Sequence, residues 1–382
     1  MRIAILFGPL CLTFRGSFDF SDILNDPRGL TGSEYGFIRI AEELRDAGHT
    51  VELITEAAQD TWGGMPVRKK PEGKYDLAVA INEPDLLRTV DAAFRVCMAW
   101  LNDFSFCKAG FDKHVDLFCS PSAAHIEQVM TNPAWCAVEK SPQYPEGREQ
   151  YKPDPAKWCV VHLGCDPHKL QGPAKVPGRV IYCSSPDRGL HNLLEQWPHI
   201  KRAAPHAHLR IFYRLQPWID GFRNTPYFPP IENLRARALY VEEALRRMSD
   251  PKWAIEVVGS VSRARIEREM AEAEVTGYPC DPSNDFTEGF SCSTLEACAA
   301  RACPVITDAD ALGSLYGEAV PAVRRANWMG ITWQEAWRRN VIECLTDPVK
   351  RKNINDRAEA LARTMTWKAT AEKLLAAAKE RL

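Results

Sequence analysis

The densest pattern in the chain lies at residues 285–307, which read DFTEGFSCSTLEACAARACPVIT. Two glutamates, Glu288 and Glu296, stand eight positions apart around a turn of small residues. The residues at 294–300 predict a helix, and the apolar run at 304–307 predicts a buried strand. With another strand predicted at 275–278, the order is strand, turn, helix, strand, which is typical of a doubly wound parallel sheet.

The turn between the two glutamates is suited to an anionic ligand. Backbone N–H groups in the first turn of a helix are unpaired and point at an anion such as a diphosphate. Gly289 lets the backbone approach a ligand closely, Glu288 can accept hydrogen bonds from sugar hydroxyls, and Glu296 can accept them from a ribose diol. The candidate nucleotide-binding residues of this segment are Glu296, Gly289, Phe290, Ser291, Ser293 and Thr294. An alternative is that Ser293 and Glu296 form only a capping box.

The same alternation of apolar runs and amphipathic helices extends outward over the whole chain. Strands are predicted at 3–7, 51–55, 77–81, 96–100, 115–119, 158–163, 179–183, 209–213 and 254–258, and helices at 33–47, 189–203, 232–247, 263–274 and 367–382. Prolines crowd residues 141–179 and indicate a connection between two halves. The sequence therefore predicts an α/β protein with two Rossmann-like domains facing across a cleft. The expected bounds are 1–172 and 173–366, with a final helix at 367–382 that crosses back to the first domain.

Composition limits the classes of function. The 382 residues carry 48 Lys and Arg against 50 Asp and Glu, so the net charge of −2 argues against a protein that coats nucleic acid. The 13 cysteines include no C-x-x-C pair, which indicates reduced thiols and no zinc site. Asp308 and Asp310 match D-x-D, but no further carboxylates support a metal. The chain start predicts no secretory signal and no apolar run is long enough to span a membrane, so a cytoplasmic location is expected, with a peripheral position at the inner membrane surface as an alternative.

Several segments, in the same order along the chain, resemble those of a known family. E-G-F-S at 288–291, L-E-A at 295–297 and A-C-P-V at 302–305 are similar to the signature of the retaining nucleotide-sugar glycosyltransferases of the GT-B fold, the large family numbered four, also called group 1. Weaker similarities lie at 31–34, 47–51, 160–166, 188–190, 205–209 and 365–374. The resemblance implies an acceptor-side first domain and a donor-binding second domain.

The resemblance also assigns roles to single residues. It implies that Glu288 contacts the transferred sugar, that Glu296 binds the ribose of the nucleotide and that Arg188 binds the diphosphate, with Ser184 as a further hydroxyl donor. In the first domain it assigns the glycine-containing first loop to Gly32 and Ser33.

Two positions differ from the family pattern. Cys183 stands where the family has an arginine, so a second cation would come from Arg214 or Arg263. Asn102 stands where many relatives have a histidine near the reacting sugar, and Asp103 beside it is retained. An Asn-Asp turn after a strand is the alternative interpretation.

The activity implied is transfer of a hexosyl or pentosyl group from a nucleoside diphosphate sugar, of uridine or guanosine, to an acceptor hydroxyl with retention of configuration. No permanently bound cofactor and no metal is implied. A saccharide, a lipid, a small molecule and a modified nucleic-acid base stay open as acceptors, as does the oligomeric state. The alternatives are a non-catalytic relative that binds a nucleotide sugar and a GT-B-fold epimerase. The aromatic and arginine-rich segment 216–247 is a lid, a membrane or nucleic-acid contact, or a packed helical elaboration.

Overall fold

A computed structural model of the chain describes residues 1–9, 12, 16–101, 104, 106–131, 134–137, 148–224, 229–281, 288–324 and 330–381. The chain divides into two units, one formed by Met1–Gly164 with Met365–Leu382 and the other by Cys165–Thr364. The domain bounds taken from the sequence, 172/173 and 366/367, stay a prediction.

The first unit is built on a largely parallel sheet. Its strands and helices, up to the end of its first segment, are β1 (Arg2–Phe7), α1 (Gly32–Asp46), β2 (Thr50–Ile54), β3 (Thr61–Trp62), β4 (Met65–Arg68), β5 (Lys74–Ile81), β6 (Asp91–Met98), β7 (Leu117–Ser120), α2 (Ala123–Thr131), β8 (Ala134–Ala137), β9 (Arg148–Tyr151) and β10 (Trp158–Val160). The strand order is β10-β7-β6-β5-β1-β2-β4-β3, and the neighbours are parallel except for β3 and β4. β8 and β9 pair separately as an antiparallel ribbon.

The sequence explains why this sheet forms. β1 lies between β2 and β5, with Ile5 opposite Leu53 on one side and Val79 on the other, and all three side chains are fully buried. Continuous apolar runs of this kind suit strands that are covered on both faces. α1 begins at a capping box in which the Thr31 side chain accepts from the N–H of Glu34 and the Glu34 carboxylate accepts from the N–H of Thr31.

The second unit repeats the architecture with a six-stranded sheet. Its elements are β11 (Arg179–Tyr182), α3 (Leu190–Ala203), β12 (His208–Ile211), α4 (Leu215–Asn224), α5 (Pro229–Arg247), β13 (Ile255–Val257), α6 (Arg263–Glu272), β14 (Val275–Tyr278), α7 (Cys292–Ala299), β15 (Pro304–Thr307), α8 (Ala311–Tyr316), β16 (Ala322–Val323), α9 (Trp333–Thr346) and α10 (Pro348–Ala362). The order β13-β12-β11-β14-β15-β16 is parallel throughout. This confirms the α/β class and the doubly wound character predicted from the sequence.

The last helix, α11 (Trp367–Lys379), belongs to the first unit. It packs against α1, where the ring of Trp367 meets that of Tyr35 edge-on at 6.0 Å. A hydrogen bond also anchors it, since the hydroxyl of Thr370 donates to the carbonyl of His162.

Differences from the sequence predictions lie mostly at element ends. The short strands β3, β4, β8, β9 and β16 and the helices α2 and α4 were not predicted, and β6 begins at Asp91, earlier than the predicted residue 96. Within the described residues no helix is long and apolar enough to cross a membrane. The cysteines whose side chains are described carry free thiols.

Candidate active site

The candidate site of the second unit lies at the carboxyl ends of β11 and β14. β11 ends at Tyr182 and leads into Cys183 and Ser184, and β14 ends at Tyr278. Because these strands are parallel neighbours, the loops that follow them emerge at the same edge of the sheet.

A buried carboxylate, that of Glu288, is the centre of this edge. Glu288 is 2% exposed, and its Oε1 accepts from Nη1 of Arg188 at 2.5 Å and from the backbone N–H of Phe290 at 3.2 Å. Its Oε2 accepts from the hydroxyl of Tyr278, and that hydroxyl in turn accepts from Ser184 at 3.1 Å. Charged groups are buried only when they are paired and hydrogen-bonded, and this network holds the Glu288 side chain in a fixed orientation.

Tyr278 is a donor in this network at any physiological pH. Burial raises the pKa of its phenol well above the usual range, and the charge of Glu288 adds to that shift. The tyrosine therefore keeps its proton and donates a hydrogen bond to the Glu288 carboxylate.

Arg188 is presented by a tight turn at the start of α3. The turn at Pro186–Arg188 is followed by Gly189 with φ of +113°, and a Cβ there would lie 2.1 Å from the carbonyl oxygen of Pro279. Only glycine fits both the dihedral and the space. The Nε of Arg188 is buried and has no hydrogen-bond partner among the described residues, so a donor remains beside the carboxylate.

Glu296, one turn into α7, is held by a different arginine. Nη2 of Arg263 donates to its Oε1 at 2.5 Å, and both residues are nearly buried. The capping-box alternative is wrong, since the N-cap of α7 is Ser291, whose side chain accepts from the N–H of Thr294. Burial raises the pKa of Glu296, while the charge of Arg263 opposes that rise.

Two thiols lie in the electric field of these groups. Burial raises the pKa of Cys183 to about 12, with a further rise from Glu296 and an opposing effect of Arg263. Burial likewise raises the pKa of Cys292, to which Glu296 and Glu288 both add. Cys292 therefore lies close to both carboxylates, and the two thiols stay neutral at physiological pH.

In the first turn of α7 the N–H of Thr294, one of the donors predicted to be free, is taken up by the Ser291 side chain. The hydroxyls of Thr294 and Ser293 both contact that of Ser291, at 2.8 and 3.1 Å, and the carbonyl of Ser291 accepts from Tyr316. A helix has no internal partner for its first N–H groups, and among the described residues those of Cys292 and Ser293 make no hydrogen bond. The buried Gly289 and Phe290 connect this turn to Glu288, and the Phe290 ring meets that of Tyr316 at 6.1 Å.

The structure distinguishes the two arginines proposed as a second cation. Arg263 contacts Glu296 directly. Arg214 lines a cavity of about 480 Å³ together with Leu215 and Ser260. Of the two arginines, Arg263 of α6 is the one whose charge affects the Cys183 thiol.

The candidates of the first unit lie at the start of α1. Gly32 is the first residue of that helix, and the hydroxyl of Ser33 accepts from the side chain of Asn82 at 2.9 Å. Asn82 follows β5 with φ of +61°, so Ser33 is tied to the carboxyl edge of the first sheet. Asn102 and Asp103 lie outside the described residues.

Two contributors to the site were not assigned to it from the sequence. Tyr278 was predicted only as the end of a strand, although a tyrosine at the carboxyl end of a buried parallel strand is a reasonable candidate for contact with a ligand. Arg237 of α5 donates to the carbonyl of Asp187 at 3.0 Å and to the carboxylate of Asp281 at 3.3 Å. The segment between β12 and β13 is therefore, at α5, packed against the turn that presents Arg188.

In the D-x-D segment, the carboxylate of Asp308 forms an ion pair with an arginine. Asp308 lies 3.4 Å from Arg324, and within the part of the chain that is described no three His, Cys, Asp or Glu side chains are grouped so that they could hold a metal ion.

Chemically, the edge combines three features. A fixed carboxylate can accept hydroxyl donors, an adjacent guanidinium can bind an anion in a bidentate manner, and unpaired helix N–H groups favour negative charge. A second carboxylate, Glu296, is fixed nearby.

No known family profile matches the sequence, and no curated protein is similar to it. Solved structures are similar over the full length. Sucrose-phosphate synthase from Thermosynechococcus elongatus has a TM-score of 0.64 at 12% identity, with 99% of this chain and 98% of that chain covered. HepE from Anabaena, solved in complex with UDP, has a TM-score of 0.62 at 17% identity over 100% of both chains. WaaG, a glycosyltransferase involved in lipopolysaccharide biosynthesis, has a TM-score of 0.60 at 13% identity, with 98% and 99% covered. The fold of this chain is thus the GT-B fold of glycosyltransferases.

Proposed function

We propose that the protein is a glycosyltransferase that takes its sugar from a nucleoside diphosphate sugar. The observation that carries this proposal is the network in which buried Glu288 is held by Arg188 and Tyr278 at the carboxyl edge of the second sheet. Sugar hydroxyls and a diphosphate are the two groups that such a carboxylate and guanidinium would bind together. The similar HepE structures, solved with UDP or with UDP-glucose, support a nucleotide-sugar donor.

Each group of the site has a part in the proposed reaction. The bond between the anomeric carbon and the diphosphate oxygen breaks while a bond to the acceptor oxygen forms. The negative charge that develops on the leaving diphosphate is met by Arg188 and by the N-terminus of α7, which are fixed before the reaction begins. Glu288 accepts hydrogen bonds from the hydroxyls of the transferred sugar and so orients its anomeric carbon.

We propose further that the configuration is retained. The acceptor hydroxyl attacks from the face that the diphosphate leaves, and its proton passes to an oxygen of that diphosphate. This path needs no protein base, and no described side chain of the second unit is assigned to that role. The sugar is a hexose or a pentose, its nucleotide is UDP or GDP, and the chain then belongs to the group 1 glycosyltransferases, family four.

Glu296 has a separate part in binding the nucleotide. Its Oε1 is occupied by Arg263, whereas Oε2 accepts no hydrogen bond within the described chain. A carboxylate oxygen held in this way is suited to the two hydroxyls of a ribose, which would orient the nucleoside beside the diphosphate.

Single substitutions in the site test the proposal. Purified Glu288→Gln and Arg188→Ala variants should each lose at least a hundredfold in transfer from a donor that the wild type uses, while their circular dichroism spectra stay unchanged. Arg246→Ala, whose side chain is 72% exposed, is the matched control and should keep wild-type turnover.

Turnover near the wild-type rate in both site variants would refute the proposed roles. Binding of a nucleotide sugar without transfer to any acceptor would instead indicate a non-catalytic relative, and interconversion of the donor without acceptor would indicate an epimerase.

A further inference from the structure

Arg263 is an unusual residue for the place that it occupies. It is the first residue of α6 and only 9% exposed. The N-terminus of a helix carries partial positive charge, so a cation there is unfavourable unless something compensates it. Burial adds a second cost, because a guanidinium loses its water shell.

Two carboxylates from different elements compensate that cost. Nε of Arg263 donates to Glu267 at 2.8 Å within α6, and Nη2 donates to Glu296 on α7 at 2.5 Å. The planar guanidinium therefore bridges the two helices and fixes the carboxylate of Glu296 by one oxygen. A flexible glutamate one turn into a helix would otherwise sample several rotamers.

The same arginine lies close to the end of β11. Cys183 follows that strand, and the pKa of its thiol is raised by burial and by the charge of Glu296 and lowered by that of Arg263. The strand itself thus contributes no charge at this point, and the cation beside the second carboxylate comes from α6.

We infer that Arg263 is a positioning residue for the nucleotide: it holds Glu296 by one oxygen so that the second oxygen of that carboxylate accepts both hydroxyls of the nucleoside's ribose. This rests on the proposed function, in which the second unit binds a nucleoside diphosphate. This role differs from that of a purely structural ion pair, because it affects only the contact with the ribose and not the binding of the whole nucleotide. Loss of Arg263 should weaken recognition of the ribose diol and leave contacts to the diphosphate in place.

The experiment compares binding of UDP and of 2′,3′-dideoxy-UDP by isothermal titration calorimetry, with GDP and its dideoxy analogue as a parallel pair. The wild type should bind the parent nucleotide of one pair about tenfold or more tightly than its analogue, since a hydrogen bond to a carboxylate is worth that much. In Arg263→Gln the ratio should fall to between one and three, as in Glu296→Gln. The double variant should show no further decrease, because both changes remove the same contact.

Arg265→Gln is the matched control on the same helical turn, since that side chain is 53% exposed and lies 3.7 Å from Glu269. It should keep the wild-type ratio. Arg263→Lys serves if the glutamine variant fails to fold, because a lysine keeps the charge but cannot hold both carboxylates as a fork, and it should give a reduced ratio.

A wild-type ratio in the folded Arg263 variant would overturn the inference and leave the proposed function standing. An equal loss of affinity for parent and analogue would overturn it as well, since that is the behaviour of a purely structural ion pair. If the wild type binds neither pair, the proposed function fails and the inference with it.

Discussion

Removing Arg188 should destabilise the second unit because it leaves the carboxylate of Glu288 buried without its cation. Breaking a buried ion pair by removal of one partner costs about 3–5 kcal/mol. The lower end of that range applies here, since the Arg188 side chain is 27% exposed and the Tyr278 hydroxyl and the Phe290 N–H still donate to the carboxylate. Arg188→Ala should therefore lose about 3 kcal/mol. For a unit of about 200 residues this lowers the unfolding temperature by about 6–12 °C.

The sign of a second substitution tests that reasoning. Glu288→Gln removes the buried charge, and a neutral amide costs less to bury than an unpaired carboxylate. Added to Arg188→Ala, it should raise the stability of the variant by about 1–2 kcal/mol. Differential scanning calorimetry of the unliganded proteins resolves the transition, with Arg246→Ala as a control that should shift by less than about 0.5 kcal/mol. If the double variant unfolds at a lower temperature than Arg188→Ala alone, the two side chains are not coupled and the account of the network is refuted.

Three further predictions concern other groups. Gly189→Ala should lower the free energy of unfolding in urea by more than about 2 kcal/mol, because its Cβ would lie 2.1 Å from a carbonyl oxygen. Gly259→Ala, where φ is +84° and no atom lies within 4 Å of the added Cβ, should lower it by only about 1 kcal/mol. Equal losses would contradict the packing argument. Burial raises the pKa of Glu296 above its ordinary 4.5, so the folded chain holds that proton to higher pH than the unfolded chain, and stability should decline as pH rises from 4.5 through the raised pKa. Glu296→Gln should flatten that decline in urea titrations, and an unchanged slope would contradict the prediction. The hydrogen bond from the Cys119 thiol lowers the pKa of Cys159 to about 7; Arg381 lowers it further, and burial opposes both effects. Iodoacetamide should therefore modify Cys159 well before Cys183, whose pKa is about 12. If peptide mass spectrometry shows the reverse order of modification, these environments are wrong.

The fold was predictable because its signals are local. The parallel strands are continuous apolar runs, and α1 begins where Thr31 and Glu34 spell a capping box. The short β8–β9 ribbon escaped prediction because Arg148–Tyr151 lies beside a proline-rich stretch and its pairing partner is not adjacent in sequence. A two-stranded ribbon has little hydrophobic period of its own.

The candidate site was predictable only in part, for a physical reason. Glu288 and Glu296 stand in one short segment, so their spacing was visible. Arg188 and Arg263 were named as candidates, but their pairing with these glutamates and the contact of Tyr278 were not visible, because the partners are far apart in sequence and only the sheet order brings them to the same edge. The capping-box interpretation of Glu296 failed because the helix begins earlier, at Cys292 with Ser291 as its cap.

The aromatic and arginine-rich segment 216–247 shows the same limit of prediction from sequence. Its aromatic and arginine content suggested a lid or a surface contact as readily as a packed helix. The structure packs one of its arginines, Arg237, against the turn at Asp187 and leaves Leu239 and Tyr240 about 40% exposed. Charge and aromaticity in a sequence do not indicate which arginine turns inward.

Binding of a nucleoside diphosphate to the second unit is the central claim, and a thermal-shift screen with UDP, GDP, ADP and TDP measures it most directly. At a concentration of about a hundred times the dissociation constant, one of these nucleotides should stabilise the chain by about 2.7 kcal/mol, which for a unit of this size is about 5–10 °C. The shift should shrink in the Arg188→Ala variant, which lacks the guanidinium for the diphosphate. An unfolding temperature that none of the four nucleotides raises at millimolar concentration would contradict the claim.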